Sequence, residues 1–273
     1  MKKTLLLSFL VGMLVLGSCS QPAPRVSIFA DHIATVARQE KISFAEAATR
    51  VRALGYEGVD VSTTIGADQL HTLDSLGFQH ACAIANIDFT RGPQDAAEEQ
   101  ALTFMKEQGW KQLLLVPGLI PDGATQKDVD AAIARVAAFA EKAAEEGLSV
   151  MVEDFDNPRS LCYNMEALDK LFAASPALGH VFDTGNYIFC GDDIRFALEH
   201  FLPRVHHVHL KDRRIDGSCP AVGDGTVPMA YVITHLLDEG YTGWFTVEHF
   251  GSSTMYDDAS RSITAILTMM EQK

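Results

Sequence analysis

Four β-like runs in the second half of the chain each lead into an acid or a histidine. These residues are Glu153, Asp183, His209 and Glu248, and the runs before them are rich in Val, Phe and Leu. In a chain that alternates strands and helices, residues at the carboxyl ends of successive parallel strands converge on one mouth. A single strand-end acid is often only a helix cap or a solvated loop residue. Their shared position favours a common site.

The alternation itself predicts a closed α/β barrel. β-like runs and helical runs alternate about eight times after residue 25, which is the count that a (β/α)8 TIM barrel needs. An open doubly wound sheet is the alternative, but no glycine-rich dinucleotide motif follows the first run. A capping-box pattern at Ser43 predicts the first helix, which ends at Gly55. The expected strands are 25–29, 58–61, 78–85, 112–116, 148–152, 180–182, 205–208 and 245–247, and the other expected helices are 67–76, 94–108, 127–147, 165–174, 192–202, 229–240 and 257–270.

The residue types at the strand ends point to a metal ion. Three carboxylates brought together repel one another, and each is costly to bury as a bare anion, so a bound divalent cation is the economical explanation. A donor set of three carboxylates and one imidazole suits Mn²⁺, Mg²⁺ or Co²⁺ better than a closed thiolate zinc site does. We expect one divalent ion, with Mn²⁺ preferred and Mg²⁺, Co²⁺ or Zn²⁺ as alternatives.

The N-terminus predicts export. Lys2 and Lys3 precede an apolar run over 5–16, which is typical of a signal peptide rather than a membrane span. The run ends in the sequence LGSC, which resembles the lipobox of bacterial lipoproteins. By that resemblance, residues 1–19 are the signal segment and cleavage leaves Cys19 lipidated. Residues 20–24 form a tether and 25–273 one catalytic domain, at the periplasmic face or cell surface. An ordinary secretory signal with a chance cysteine is the alternative.

Charge and cysteine content exclude several classes. The formal net charge is −14, so the chain offers no basic surface for nucleic acid, and none is expected as a partner. The cysteines after the signal segment form no C-x-x-C pair, which leaves a zinc ribbon or a thioredoxin-like motif unsupported. Free, mostly buried thiols are expected.

Four motifs resemble one superfamily. The segments LGYEGVDV at 54–61, FDTGN at 182–186, HVHLKD at 207–212 and GDGTV at 223–227 are similar to the sugar phosphate isomerase/epimerase superfamily with the xylose-isomerase-like barrel. The similarity covers essentially all of the chain after residue 25. It implies that Glu153, Asp183, His209 and Glu248 are metal ligands and that Glu153 and Glu248 also form an acid/base pair.

That pairing of metal and glutamates has a chemical reason. A cation that grips a carbonyl and the neighbouring hydroxyl oxygen stabilises the enediolate formed when the α-proton leaves. One glutamate takes the proton and the other returns one from the opposite face. Epimerisation, aldose–ketose isomerisation and elimination of a β-substituent are three fates of the same intermediate. The sequence does not choose among them.

Four positions are predicted to contact substrate. The resemblance makes Lys211 the substrate-facing lysine, and the alternative is a rim lysine paired with Asp212. Ketose 3-epimerases carry a histidine where this chain has Asn186 and an acid where it has Arg159. Their sugar contacts are therefore not carried over intact, although both positions should still face the substrate. Asp60 is a candidate through its place at a strand end.

The expected function is a metal-dependent isomerase or epimerase that acts on a free, non-phosphorylated keto sugar or related polyol. No phosphate-cradling glycine loop is visible, and phosphorylated sugars are intracellular. A metal-dependent lyase or hydrolase acting on 3-keto sugars or glycosides is the first alternative. A non-catalytic, lipid-anchored sugar-binding protein is the second. The expected partners are a small sugar and, through the lipid anchor alone, a membrane.

Overall fold

A computed structural model describes residues 25–272 of the 273 in the chain. The predicted signal segment 1–19, the lipidation site Cys19 and the tether 20–24 lie outside the described residues. No helix within the described part is long and apolar enough to cross a membrane. The four cysteines of this part, Cys82, Cys162, Cys190 and Cys219, are free thiols, as expected.

Eight parallel strands close into one barrel in chain order, each pairing with the next and the last with the first. The predicted (β/α)8 fold is therefore confirmed. Most strand residues are buried, because helices cover the outer face and side chains fill the interior. The strands are β1 (Arg25–Phe29), β2 (Gly58–Ser62), β3 (Gln79–Asn86), β4 (Gln112–Val116), β5 (Ser149–Glu153), β6 (Leu178–Asp183), β7 (Val205–Leu210) and β8 (Trp244–Val247).

The helices lie where the periodicity predicts them, with two exceptions, Ala30–Glu40 and the one-turn helix Tyr187–Cys190. Ala30–Glu40 follows β1 directly, whereas no helix is expected before Ser43. The caps of this longer helix explain why. This helix begins without a side-chain cap on Phe29, so no N-terminal signal marks it. The helices are α1 (Ala30–Glu40), α2 (Phe44–Ala53), α3 (Ala67–Ser75), α4 (Asp95–Glu107), α5 (Gln126–Glu145), α6 (Met165–Ala174), α7 (Tyr187–Cys190), α8 (Ile194–Phe201), α9 (Met229–Asp238) and α10 (Met255–Glu271).

The barrel interior beneath the mouth divides into an apolar half and a polar half. Strands β3 to β6 contribute a separate apolar cluster, and the other strands contribute a hydrogen-bonded polar set. We call these the apolar layer (Cys82, Leu114, Met151 and Val181) and the polar layer (Ser27, Asp60, His207 and Thr246). Each strand supplies one residue.

Candidate active site

The four predicted strand-end residues meet at the carboxyl end of the barrel. Glu153 ends β5, Asp183 ends β6, His209 lies near the end of β7, and Glu248 directly follows β8. One donor atom from each lies within 4.8 Å of the others, and all four side chains are buried. The register between β6 and β7 pairs Asp183 with His209, which brings these two side chains to one level.

Asp183 is held by the turn that follows it. Its Oδ1 accepts hydrogen bonds from the backbone N–H groups of Gly185 at 2.7 Å and Asn186 at 3.1 Å. Its Oδ2 lies 2.9 Å from Lys211 Nζ but has no aligned hydrogen-bond partner among the described residues. One oxygen therefore fixes the side chain while the other is directed at the cluster.

Lys211 is part of this cluster. Its Nζ lies 2.5 Å from Glu248 Oε1 and donates to Asn186 Oδ1 at 3.2 Å. Burial alone would lower the pKa of Lys211, but Asp183 and Glu248 hold it well above its usual value. Burial would likewise raise the pKa of Glu248, and Lys211 holds it well below. The rim-lysine alternative is wrong, because Asp212 instead accepts N–H groups of the following loop.

His209 lies between carboxylates on both sides of its ring. Its Nδ1 contacts Glu153 Oε1 and lies 3.3 Å from Glu248 Oε2, and its Nε2 lies 3.2 Å from Asp60 Oδ2. Burial would lower the pKa of His209, but Glu153 and Asp60 raise it well above the ordinary value. The surrounding carboxylates therefore favour the protonated, positively charged form of the ring.

Beneath His209 the polar layer forms a connected network. Asp60 Oδ2 accepts from His207 Nε2 at 2.8 Å, and Asp60 Oδ1 accepts from the Thr246 hydroxyl at 3.0 Å. Thr246 in turn bonds Ser27 at 2.5 Å. Burial raises the pKa of Asp60, but His207 and His209 outweigh it and bring it to about 2, so the carboxylate is ionised at neutral pH. His207 is thus bonded through one ring nitrogen, Nε2.

The strand-end cluster fits a divalent cation. Together with Asp60, the cluster sets four carboxylates against two cations, Lys211 and the protonated His209, so the set lacks positive charge even with these ion pairs. Burial, opposed by Lys211 and reinforced by Glu248 and Glu153, raises the pKa of Asp183 to about 8. A cation would remove this repulsion, and Asp183 Oδ2 supplies a donor without an aligned partner. Glu153, Asp183, His209 and Glu248 are the residues that would hold it.

A cavity of about 550 Å³ opens above the cluster, within the usual range for small-molecule sites. Glu153, His209, Lys211 and Glu248 line it together with aromatic side chains from the strand-end loops. Phe29 and Phe155 flank the polar centre, and Phe250 lies half exposed at its rim. Its size and mixture of polar and apolar groups suit a small polyhydroxy compound.

Of the four residues predicted to contact substrate, only two line the cavity. Lys211 and Asp60 line the cavity, although both Asp60 oxygens are already bonded within the polar layer. Asn186 is buried beside Lys211 and donates to the Asp154 carbonyl at 2.8 Å, so it holds Lys211 in position. Arg159 is not among the residues lining this cavity; it is exposed and binds Asp122 at 3.2 Å. The structure brings Lys211 and Asp60 to the cavity and leaves Arg159 outside it.

Sequence reasoning missed several residues at this site. Phe29, Phe155 and Phe250 line the cavity but look like ordinary core aromatics in the sequence. Asp154 follows Glu153 and is fully buried; burial together with Asp183 and Glu153 raises its pKa well above normal, which favours the neutral acid. Glu153 and Asp154 are an adjacent pair of acids at the end of β5, and only Glu153 was predicted to belong to the site.

The chain belongs to the xylose isomerase-like TIM barrel family, whose family model matches residues 48–269. This confirms the resemblance that the four motifs indicated. The match covers all four residues of the cluster.

A curated relative gives a closer but partial match. Inosose dehydratase of Bacillus anthracis (strain CDC 684 / NRRL 3495) is 35% identical over 101 residues, which is 30% of this chain and 34% of the relative. The matched segment therefore spans about a third of that enzyme's length.

Solved structures share the whole fold at low identity. The probable 3-DHS dehydratase involved in petrobactin synthesis from Bacillus anthracis has a TM-score of 0.74 and 15% identity, covering 89% of this chain and 98% of that one. An L-ribulose 3-epimerase has a TM-score of 0.71 and 16% identity, covering 91% and 95%. At this identity the likeness shows the fold, which dehydratases and epimerases have in common.

Proposed function

We infer that the protein is a metal-dependent isomerase or epimerase that removes an α-proton from a free keto sugar or a related polyol. One observation carries this inference. Glu153 and Glu248 come from the ends of β5 and β8, which β6 and β7 separate, yet both line the same 550 Å³ cavity. Two carboxylates on different sides of one bound sugar are what a proton exchange between two faces requires.

The two glutamates have different surroundings, which supports different roles. Glu248 forms an ion pair with Lys211, and that pair favours its ionised form. Among the described residues, Glu153 forms its ion pair with His209, and it is the more exposed of the two glutamates. We assign Glu153 as the first base and Glu248 as the partner that returns a proton. When bound, a divalent cation at this cluster polarises the substrate carbonyl and offsets the charge that develops on its oxygen.

Lys211 supports the same chemistry. Its ammonium is held between Asp183 and Glu248 and lines the cavity, so it can donate a hydrogen bond to a substrate hydroxyl or enolate oxygen. Asn186 holds the lysine from the other side. Arg213, the guanidinium at the rim, is already engaged by Asp156 and the Gly217 carbonyl. A free sugar therefore suits the site better than a sugar phosphate.

A lyase is the second candidate, and a specific observation favours it. The curated relative with 35% identity is named inosose dehydratase. Loss of water from the carbon beyond the abstracted proton needs the same base and the same stabilised oxygen, so this site supports elimination as well. The fate of the intermediate separates the two candidates.

The test is hydrogen exchange in D₂O. The purified protein with Mn²⁺ is incubated with free ketoses, 3-keto sugars, keto polyols and their glycosides, and NMR follows deuterium at the carbon next to the carbonyl. Exchange with retention of all substituents supports the isomerase or epimerase. Exchange with loss of a β-substituent supports the lyase. No exchange with any of these compounds, while Mn²⁺ binds, would overturn the proposal.

On a substrate so identified, Glu153→Gln and Glu248→Gln should each reduce turnover by about 100-fold or more, the loss expected for a general acid or base. Substrate binding should persist in both variants, as measured by calorimetry. Because Glu153 is the proposed first base, Glu248→Gln should still exchange deuterium and Glu153→Gln should not. Near-normal turnover in both would favour hydrolysis by a metal-activated water instead.

We also propose that the protein is an exported lipoprotein anchored through Cys19. The supporting pattern is the basic start, the apolar run and the LGSC sequence that ends it. Cys19→Ala should move the protein from the membrane fraction to the soluble fraction. An unchanged distribution in fractionated cells would count against lipidation.

A further inference from the structure

A second, smaller cavity lies beside Glu153. It measures about 220 Å³, and Val116, Glu153 and Phe155 line both this cavity and the larger one. Glu153 therefore stands where the two spaces meet. We call the smaller space the side cavity.

The side cavity is apolar. Its other walls come mainly from the loop after β4 and the loop after β5: Leu115, Pro117, Gly118, Leu119, Ser160 and Cys162. The Ser160 hydroxyl already accepts a hydrogen bond from the Cys162 N–H at 3.0 Å. Apart from Glu153 at its edge and the single Ser160 hydroxyl, the side chains lining it are apolar. A sugar hydroxyl placed there would lose its hydrogen bonds to water, whereas an apolar group would gain from burial.

One hydrogen bond between the two loops and one within the loop after β5 hold the walls in place. The Ile120 N–H donates to the Arg159 carbonyl at 2.7 Å, and the Phe155 N–H donates to the Cys162 carbonyl at 3.0 Å. Gly118 adopts a positive φ of 94°, and a side chain there would collide with Asp88. The protein's own hydrogen bonds thus hold the walls of the cavity, which lowers the entropic cost of filling it.

Size sets what the cavity accepts. An apolar protein cavity of about 150 Å³ takes up benzene, so 220 Å³ accommodates a phenyl ring or a branched alkyl group. A sugar in the larger cavity with its carbonyl at the strand-end cluster would direct a substituent past Glu153 into this space.

We propose that the side cavity is a subsite for an apolar substituent of the substrate, so that the preferred substrates are keto glycosides with an aromatic or branched alkyl aglycone. This proposal rests on the proposed function for the sugar's place in the larger cavity. The specificity residue is Leu119, because it lines the side cavity and not the larger one.

Binding of unreactive probes tests the subsite. Calorimetry in the presence of Mn²⁺ compares phenyl with methyl β-D-glucopyranoside, and phenyl with methyl β-D-galactopyranoside. The ratio within each pair isolates the substituent. At least one phenyl glycoside should bind about 10-fold or more tightly than its methyl partner, the factor that burial of a ring of this size provides.

Filling the cavity should remove that preference. Leu119→Trp, or the smaller Leu119→Phe, should equalise the phenyl and methyl affinities without weakening the methyl glycoside. Leu267→Trp is the matched control, because Leu267 is an exposed leucine on α10, and it should change neither affinity. No phenyl preference in either pair, or a preference that survives both Leu119 variants with their fold intact by circular dichroism, would overturn the subsite.

The outcomes separate the subsite from the reaction. The affinity ratio needs no turnover, and deuterium exchange in a free keto sugar needs no side cavity. A phenyl preference without exchange keeps the subsite and refutes the proposed reaction. Exchange without a phenyl preference supports the proposed reaction and refutes the subsite.

Discussion

The two halves of the barrel interior differ in what they support. The apolar layer under β3 to β6 packs without a hydrogen-bonded side-chain network and lies beneath Ile84 and Val116, which line the large cavity. The polar layer on the other side bonds every member to another and reaches His209 through Asp60. The apolar layer therefore only fills space in the barrel, whereas the polar layer also orients His209.

Burying the side chains of the polar layer costs desolvation free energy, so their presence calls for a functional explanation. Buried polar groups stabilise a fold only when their hydrogen bonds are satisfied, and apolar residues of similar size would fill the space as well. Asp60 holds the Nε2 side of His209, which leaves Nδ1 facing Glu153 and Glu248. A carboxylate behind a histidine ligand fixes the ring and strengthens it as a donor. The apolar layer has no such link to the cluster.

The largest expected effect is on stability from the apolar layer. Met151→Ala removes a fully buried side chain and leaves a cavity, which should cost about 2–5 kcal/mol in the free energy of unfolding. Urea denaturation measures this loss. Mn²⁺ affinity of the folded variant should stay close to that of the wild type, and a large drop would show that the apolar layer also positions the cluster.

Next is an effect on metal affinity from the polar layer. Asp60→Asn keeps the shape of the side chain but removes the carboxylate behind His209, so Mn²⁺ should bind about 10–100-fold more weakly. Calorimetry with the full chain measures the change in affinity. His209→Ala should bind Mn²⁺ more weakly still. Ser27→Ala is the control in the same layer, because Ser27 reaches His209 only through Thr246 and Asp60. Equal losses in Ser27→Ala and Asp60→Asn would contradict a specific role for Asp60.

The smallest effect concerns a buried histidine outside the barrel interior. His180 is bonded by the Val152 carbonyl and the Tyr187 hydroxyl, each at 3.0 Å. Burial lowers its pKa from 6.5 to about 4, so its contribution to stability is present above pH 6.5 and lost as the pH falls toward 4. We expect a decrease of roughly 2 kcal/mol between pH 7 and pH 5 from this residue.

Urea unfolding of the metal-free protein, with a chelator present, at pH 7 and pH 5 measures that decrease. The difference in the free energy of unfolding between the two pH values should be smaller in His180→Gln, which cannot take up the proton. The same slope in both proteins would mean that His180 does not contribute it. Unlike His209, this ring has no ionised carboxylate bonded to it, because burial, Asp183 and Glu153 raise the pKa of the nearby Asp154.

The sequence determined the barrel and the four-residue cluster because both follow from local patterns. Periodicity distinguishes strands from helices, and the carboxyl ends of parallel strands must meet at one mouth. The expected helix 165–174 has the bounds of the observed Met165–Ala174. The helix Ala30–Glu40 was missed because it follows β1 with no turn or capping residue between them to mark its start.

Only the tertiary structure decided which groups share an environment. Lys211 and Asp212 are neighbours in sequence, yet one enters the acidic cluster and the other binds a loop. Asp60 and His209 lie on strands that are far apart in the chain and join only across the closed barrel. The side cavity needs two loops bonded to each other. These contacts depend on distances through space, to which the order of residues along the chain gives no direct guide.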